Sequence, residues 1–238
     1  SSKNLSWVSK VASKAGTKHV FTLDENRTGT LLDRAGNLSD KFKTVPAKDD
    51  DLAAILYTSG TTGKPKGVQR DTGGYAVALM ASMNHIFCGK PGETMFTTSD
   101  IGWVVGHSYI IYAPLLNGMA TIMYEGTPLR PDAGIWWELV EKYKVSVMFS
   151  APTAVRVLKK QDPAFLTKYD LSSLRALFLA GEPLDEPTAS WIHDAIKKPI
   201  VDNYCRQKPV GRCWQFNVVL KSCHISLALL ASPHLVTT

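Results

Sequence analysis

Apolar residues along this chain fall into two rhythms. Short apolar runs closed by turn residues lie at 52–57, 94–98, 120–124, 145–149 and 174–179, and each predicts a strand. The run at 52–57 follows Lys48-Asp49-Asp50-Asp51 and reads as a buried strand. Between these runs the apolar positions take helical spacing. Helices are predicted at 75–80, opened by Gly73-Gly74, and at 109–116, 135–144, 154–160 and 186–196, and a further strand begins at 200–201. This alternation predicts an α/β fold with a largely parallel sheet flanked by helices. Trp136 and Trp137 sit inside a helical stripe and read as core. No internal repeat is present.

The rhythm also divides the chain. Residues 1–48 are polar and lysine-rich, with one apolar run at 20–23, and read as the remnant of an α/β unit followed by a linker. Residues 49–204 carry the regular alternation and form the core. Residues 205–238 break the pattern. They hold apolar stretches at 218–220 and 225–231 but no helix-capping signals, and no Asp or Glu among their 34 residues.

Composition narrows the class without choosing within it. The chain has 238 residues, 45% hydrophobic and 20% charged, enough to bury a useful core. The net charge is +6, but Lys10, Lys14, Lys18, Lys41, Lys43, Lys64, Lys66, Arg70, Lys159 and Lys160 are scattered. Nucleic acid, which calls for a concentrated basic stripe, is therefore not expected, while a small anion is. Cys88, Cys205, Cys213 and Cys223 show no Cys-x-x-Cys spacing, so neither a zinc centre nor a disulfide framework is expected. A reducing, cytoplasmic setting follows. Residues 1–7 carry no signal-peptide core. The apolar stretch 101–123 is interrupted by glycine, proline, His107 and Asn117, so no membrane span is expected.

The most informative stretch is Thr58-Ser59-Gly60-Thr61-Thr62-Gly63-Lys64-Pro65-Lys66-Gly67. Glycines let backbone N–H groups turn toward an anion, the hydroxyls add donors, and the lysines add charge for phosphate oxygens. A strand before it would place the loop at a sheet edge, where α/β proteins bind nucleotides. It is not a Walker A loop, because the glycines are too close and Pro65 replaces the Mg²⁺-binding Ser/Thr. A flexible Gly/Ser/Thr connection is the plain alternative for a generic match. Here the ten residues resemble, position for position, the signature loop of the adenylate-forming superfamily: acyl-CoA synthetases, peptide-synthetase adenylation domains and luciferases. Tyr57 fits as well. The resemblance implies that Thr58, Ser59, Gly60, Thr61, Thr62, Gly63, Lys64 and Lys66 hold the nucleotide phosphates.

Three further segments follow in the order of that superfamily. Ser99-Asp100-Ile101-Gly102-Trp103-Val104-Val105-Gly106-His107-Ser108-Tyr109 resembles the acyl-pocket segment of acetyl- and propionyl-CoA synthetases. It implies that Trp103, Val104, Val105, Gly106 and His107 line the pocket, although Trp103 alone could be core and His107 alone structural. Ser150-Ala151-Pro152-Thr153-Ala154-Val155-Arg156 resembles the next segment and reads as architecture around the site. Ala180-Gly181-Glu182-Pro183 resembles the adenine-contacting turn, and Asp202-Asn203-Tyr204 the start of the segment closing over adenine and ribose. Adenine contact is thus implied for Gly181, Glu182, Pro183, Asp202, Asn203 and Tyr204. Acetate-selective relatives tend to carry Val at the position of Ala180. The smaller residue leaves room for about one more CH₂, worth ~1–3 kcal/mol, which favours propionate. The likeness to propionyl-CoA synthetases covers residues 64–204. Residues 1–56 are more similar to malonyl-CoA synthetases, which points to a chimeric origin.

By resemblance, the chain implies ATP-dependent activation of a short-chain carboxylate to acyl-AMP and then acyl-CoA, with ATP, Mg²⁺ and CoA, and with no covalent nucleophile. Nothing in the sequence sets an oligomeric state. Two other readings stay open. One is a nucleotide-binding remnant without catalysis. The other is a basic interaction module, which failure to bind any adenine nucleotide would support.

The family pattern stops at Tyr204. Relatives continue Trp-Gln-Thr-Glu-(Thr/Ser)-Gly-Trp-Pro, with the Thr on the α-phosphate and the Glu on Mg²⁺. Here Cys205-Arg206-Gln207-Lys208-Pro209-Val210-Gly211-Arg212 follows. Written as CAG AAA CCG GTT GGC CGT, residues 207–212 read from the third base as GAA ACC GGT TGG CCG, or Glu-Thr-Gly-Trp-Pro. A frameshift just after Tyr204 is therefore expected, with loss of the ribose-binding Asp and the mobile C-terminal domain. Sequencing the coding DNA checks it. A second frame restoring the motif is expected, and its absence rules the frameshift out.

Overall fold

A computed structural model describes residues 5–24, 26–58, 63–204 and 217–219, apart from the side chains of Thr58, Tyr204 and 217–219. The chain forms two compact units, residues 1–46 and residues 47–238. In the described part of the first, α1 (Leu5–Lys14) and α2 (Thr30–Ala35) have no buried residue, and no strand forms at 20–23.

The second unit opens with a hairpin of β1 (Leu52–Thr58) and β2 (Lys66–Asp71). Then come α3 (Thr72–His85), β3 (Thr94–Thr97) and a continuous helical run: α4 (Val104–Gly106), a π-helical turn (His107–Tyr112) and α5 (Ala113–Leu116). The remainder is β4 (Ala120–Ile122), α6 (Ile135–Lys142), β5 (Val145–Ser150), α7 (Pro152–Lys159), α8 (Ala164–Thr167), β6 (Ala176–Ala180), α9 (Glu186–Ile196), β7 (Ile200–Tyr204) and β8 (Asn217–Val219).

β3 to β8 make one sheet in the order β4-β3-β5-β6-β7-β8. The first five strands are parallel and β8 runs antiparallel to β7. The strands are apolar on both faces, as a parallel sheet covered by helices on both sides requires. Phe96, Val145, Met148, Leu177 and Leu179 face the cluster built with Trp136, Trp137, Val140, Val155, Leu158, Ile192 and Ile196. The intervening Met95, Val147, Phe149, Phe178 and Ala180 face the cluster built with Tyr75, Leu79, Met83, Phe87 and Tyr109. On β6 the period is two, that of a strand, and on β5 a register shift after Val145 puts Val145 and Met148 on one face. Phe87 lies 4.8–5.2 Å from the rings of Tyr109, Phe149 and Phe178, joining three elements on that face.

The α/β class and the parallel sheet match the sequence pattern, and Trp136 and Trp137 are core. The strand at 52–57 needs correction. It forms, but it is not buried: Leu52 is 55% and Tyr57 70% exposed. Among the described residues it pairs only with β2, which the pattern did not reveal, and no second layer of described residues covers its outer face. The strands that flank the signature loop accordingly pair with each other, antiparallel, and form a sheet of their own.

Local chemistry sets the helix ends. Asp71 caps α3 by accepting the Gly74 N–H at 2.5 Å, and Asp185 caps α9 by accepting the Thr188 N–H at 3.0 Å. α9 ends at Lys197 in the left-handed region, φ 53°. Leu177→Ala, in a fully buried position, is expected to cost about 2–5 kcal/mol in urea unfolding, whereas Leu115→Ala, at an exposed site, should stay within ~0.5 kcal/mol.

Candidate functional site

Parallel strands deliver their following loops to one edge of the sheet. β3 is followed by the Trp103 segment, β5 by the start of α7 with Thr153 and Arg156, β6 by Gly181-Glu182-Pro183, and β7 ends in Asp202-Asn203-Tyr204. The chain leaves β3 outward to β4, then returns to β5 and proceeds the other way. Strand order thus reverses between β3 and β5, the topological switch point where open α/β sheets bind ligands. At that point the Thr98 hydroxyl donates to Ser150 Oγ at 2.7 Å, joining the two strand ends.

The turn after β6 is held by one arginine. Gly181 sits at φ 107°, a conformation that favours glycine, and an added Cβ would meet nothing within 4 Å. Arg156, on α7, donates from Nε to Asp185 at 2.7 Å and from Nη2 to the Pro183 carbonyl at 2.9 Å, and Nη1 stands 3.1 Å from Glu182. The Thr153 hydroxyl donates to Glu182 Oε1. Thr153 and Arg156 lie three residues apart, on one helix face, and both reach the turn. The Thr153 hydrogen bond, then Arg156, lowers the Glu182 pKa against partial desolvation. The Asp185 pKa is lowered from 3.8 to about 2, first by its hydrogen bond from Thr188 and then by Arg156.

β7 supplies the neighbouring segment. Asp202 pairs with Leu179 and Asn203 with Ala180. Burial raises the Asp202 pKa, opposed by a hydrogen bond from the Leu184 backbone. Asn203 is buried, and its Oδ1 has no partner among the described residues.

The segment after β3 is shaped by a close approach. A Cβ on Gly106 would collide with the Asp100 carbonyl and the Ile101 Cα, so only glycine fits there. The π-helical turn follows directly. Inside it, the Ser108 and Tyr75 hydroxyls share a buried 2.6 Å hydrogen bond, and the Tyr109 hydroxyl donates to Ser82 at 3.1 Å. The Thr97 hydroxyl donates to the Tyr109 carbonyl at 2.9 Å, fixing the turn to β3. Val104 is buried, Val105 packs against the cluster that contains Ala180, and His107 is half-buried. Trp103 is 62% exposed and is no part of the core.

The sequence-predicted residues therefore divide. Ala180, Val105 and Tyr109 share one packed cluster, and Ala180, Asp202 and Asn203 lie on paired strands. In the phosphate loop, Gly63 has φ 81°, and Lys64 and Lys66 are exposed on the hairpin. Ser59, Gly60, Thr61, Thr62 and residues 205–216 and 220–238, with the frameshift expected there, lie outside the described residues. Sequence reasoning missed the work of Arg156, Thr153 and Asp185. Their signal was the i, i+3 spacing beside a turn rich in acidic residues.

The AMP-binding enzyme family matches residues 2–205. The propionate–CoA ligase of Escherichia coli K12 is 68% identical over 157 residues, 66% of this chain and 25% of the relative. That of Salmonella typhimurium LT2 is 67% identical over 197 residues, 79% of this chain and 31% of the relative. The acetyl-coenzyme A synthetase of Rhodobacter capsulatus is 47% identical over 184 residues, 76% of this chain and 28% of the relative. The chain thus spans about a quarter to a third of these relatives.

The Asp185 carboxyl makes a pH prediction. Its folded pKa is depressed, so its contribution to stability is present above pH 3.8 and is lost as the pH falls through about 2. Asn also caps helices well. Asp185→Asn should therefore keep the cap, and its thermal midpoint should fall less than wild type between those two pH values.

Proposed function

The chain belongs to the AMP-binding enzyme family, and we propose that it carries the nucleotide- and acyl-binding part of a ligase that activates a short-chain carboxylate, propionate by preference, to its CoA thioester. The carboxylate oxygen attacks the α-phosphorus of ATP, pyrophosphate leaves, and the CoA thiol then displaces AMP from the acyl-AMP. The observation that carries this reading is the meeting of the predicted acyl and adenine segments at one edge of a parallel sheet, around its switch point.

In this reading Thr58, Ser59, Gly60, Thr61, Thr62, Gly63, Lys64 and Lys66 cradle the phosphates by backbone donors, hydroxyls and charge. Gly181, Glu182, Pro183, Asp202, Asn203 and Tyr204 flank adenine, with Arg156 fixing the turn in advance. Trp103, Val104, Val105, Gly106, His107 and Ala180 bound the acyl group. No three His, Cys, Asp or Glu side chains among the described residues come together to hold a metal. Mg²⁺ would enter with ATP, bound to its phosphates, and would offset their charge. Residues 49–204 form the adenylation core. No described helix is long and apolar enough to cross a membrane, and we place the protein in the cytoplasm on its family resemblance.

A second reading is favoured by one observation. After Tyr204 the sequence lacks the Thr-Glu pair that the family resemblance places on the α-phosphate and the metal. The polypeptide would then bind nucleotide without turning it over.

Exchange of labelled pyrophosphate into ATP, with propionate, acetate and butyrate in turn, decides between the two. Exchange led by propionate is expected of the ligase; none, from a chain shown to be folded, leaves the binding remnant. In an exchanging chain, Ala180→Val should shift preference toward acetate by ~10–200-fold.

A further inference from the structure

We propose that Arg70 is a positioning residue for the acyl subsite, tying the strand that leaves the phosphate loop to the π-helical turn that carries His107. The inference rests on reading that turn as a wall of the acyl pocket. Arg70 lies near the end of β2 and is only 5% exposed, although β2 belongs to an otherwise open hairpin. Its guanidinium carbon stands 5.2 Å from the centre of the Tyr75 ring on α3, within cation–π range. Tyr75 in turn meets the π-helical turn at two places. Its hydroxyl shares the 2.6 Å hydrogen bond with Ser108, and its ring lies edge-on to Tyr112 at 6.0 Å. Ser108 and Tyr112 sit near opposite ends of the turn, so one aromatic side chain spans it, and Arg70 stands over the ring of that side chain. A π turn is rare and needs such support.

His107 sits where this support acts. Burial first, and then the charge of Arg70, lower its pKa from the ordinary 6.5, against a hydrogen bond to the Ile101 backbone. The other titratable groups around the turn leave that balance intact. Tyr75 faces the turn from α3, its own pKa raised by burial, Tyr112 belongs to the turn itself, and the Asp100 carboxyl of the preceding loop accepts the Gly102 N–H at 2.6 Å. An uncharged imidazole suits a wall against an alkyl chain, because it carries no ionic hydration to lose.

The test follows the His107 ring by NMR in the full, histidine-labelled chain, its signal assigned by His107→Gln. Arg70→Gln should raise the His107 titration midpoint toward 6.5, and Arg70→Lys, which keeps the charge, should leave it near wild type. Ser108→Ala should speed amide exchange in residues 107–112 about tenfold, with β6 unchanged. A folded Arg70→Gln chain with an unmoved midpoint overturns the proposal, as does unchanged exchange in Ser108→Ala. If Arg70→Gln fails to fold, the Ser108→Ala exchange decides. Neither readout needs turnover, so failure of pyrophosphate exchange would refute the ligase reading and leave this inference separately tested.

Discussion

The handedness of strand crossovers governs this structure. A parallel strand pair joined through a helix closes only one way, so a chain that moves outward from β3 to β4 and then back to β5 must place its next helices on the opposite face. The two apolar clusters are the record of that rule. Tyr75, Met83, Phe87 and Tyr109 line one face, and Trp137, Val140, Val155 and Ile192 the other. The same reversal leaves β3 and β5 side by side, with their loops diverging to opposite sides of the sheet. The gap that opens there is a product of chain direction, and the proposed acyl and adenine segments leave the sheet along that edge.

On that frame the polar parts are arranged to be finished before any ligand arrives. Arg156 reaches a side chain, a backbone carbonyl and a cap residue within four positions of one turn. Each contact is partly exposed and worth little by itself. Together they hold a loop whose glycine lies at φ 107° in one conformation. The π-helical turn is held differently, from within, by buried hydroxyls of Tyr75, Ser108, Tyr109 and Ser82. One side of the candidate site is thus fixed by surface charge and the other by buried hydrogen bonds.

Much of this was legible in the residues. The strands from 94 to 201 declared themselves because both of their faces are apolar, and α9 because Asp185, Glu186 and Pro187 spell a helix start. The segments proposed to carry the site stand out in the sequence as motifs. The hairpin was not, because Lys66-Gly67-Val68-Gln69-Arg70-Asp71 is too polar to announce a strand; it pairs through backbone groups that any sequence supplies. The same limit hid Arg70 and Arg156. A charged residue that folds inward, or that ties two loops together, looks like surface until the partners that surround it are known. Leu52, Ile55 and Tyr57 misled in the opposite sense, since apolar residues on a two-stranded ribbon have no layer to enter.

Ala180 occupies an unusual position in this scheme. It is a core residue of β6, 5% exposed, packed in the cluster of Phe87, Tyr109 and Phe178, and it is also the residue proposed to set the length of the acyl group. A pocket wall that is at the same time a brick of the sheet cannot be altered for one purpose alone. Each methyl group added to exclude a longer acid must also find space among three aromatic rings. Diversification of substrate range in such a lineage is therefore tied to compensating change at those rings, and neighbours that never meet a ligand become part of its inheritance.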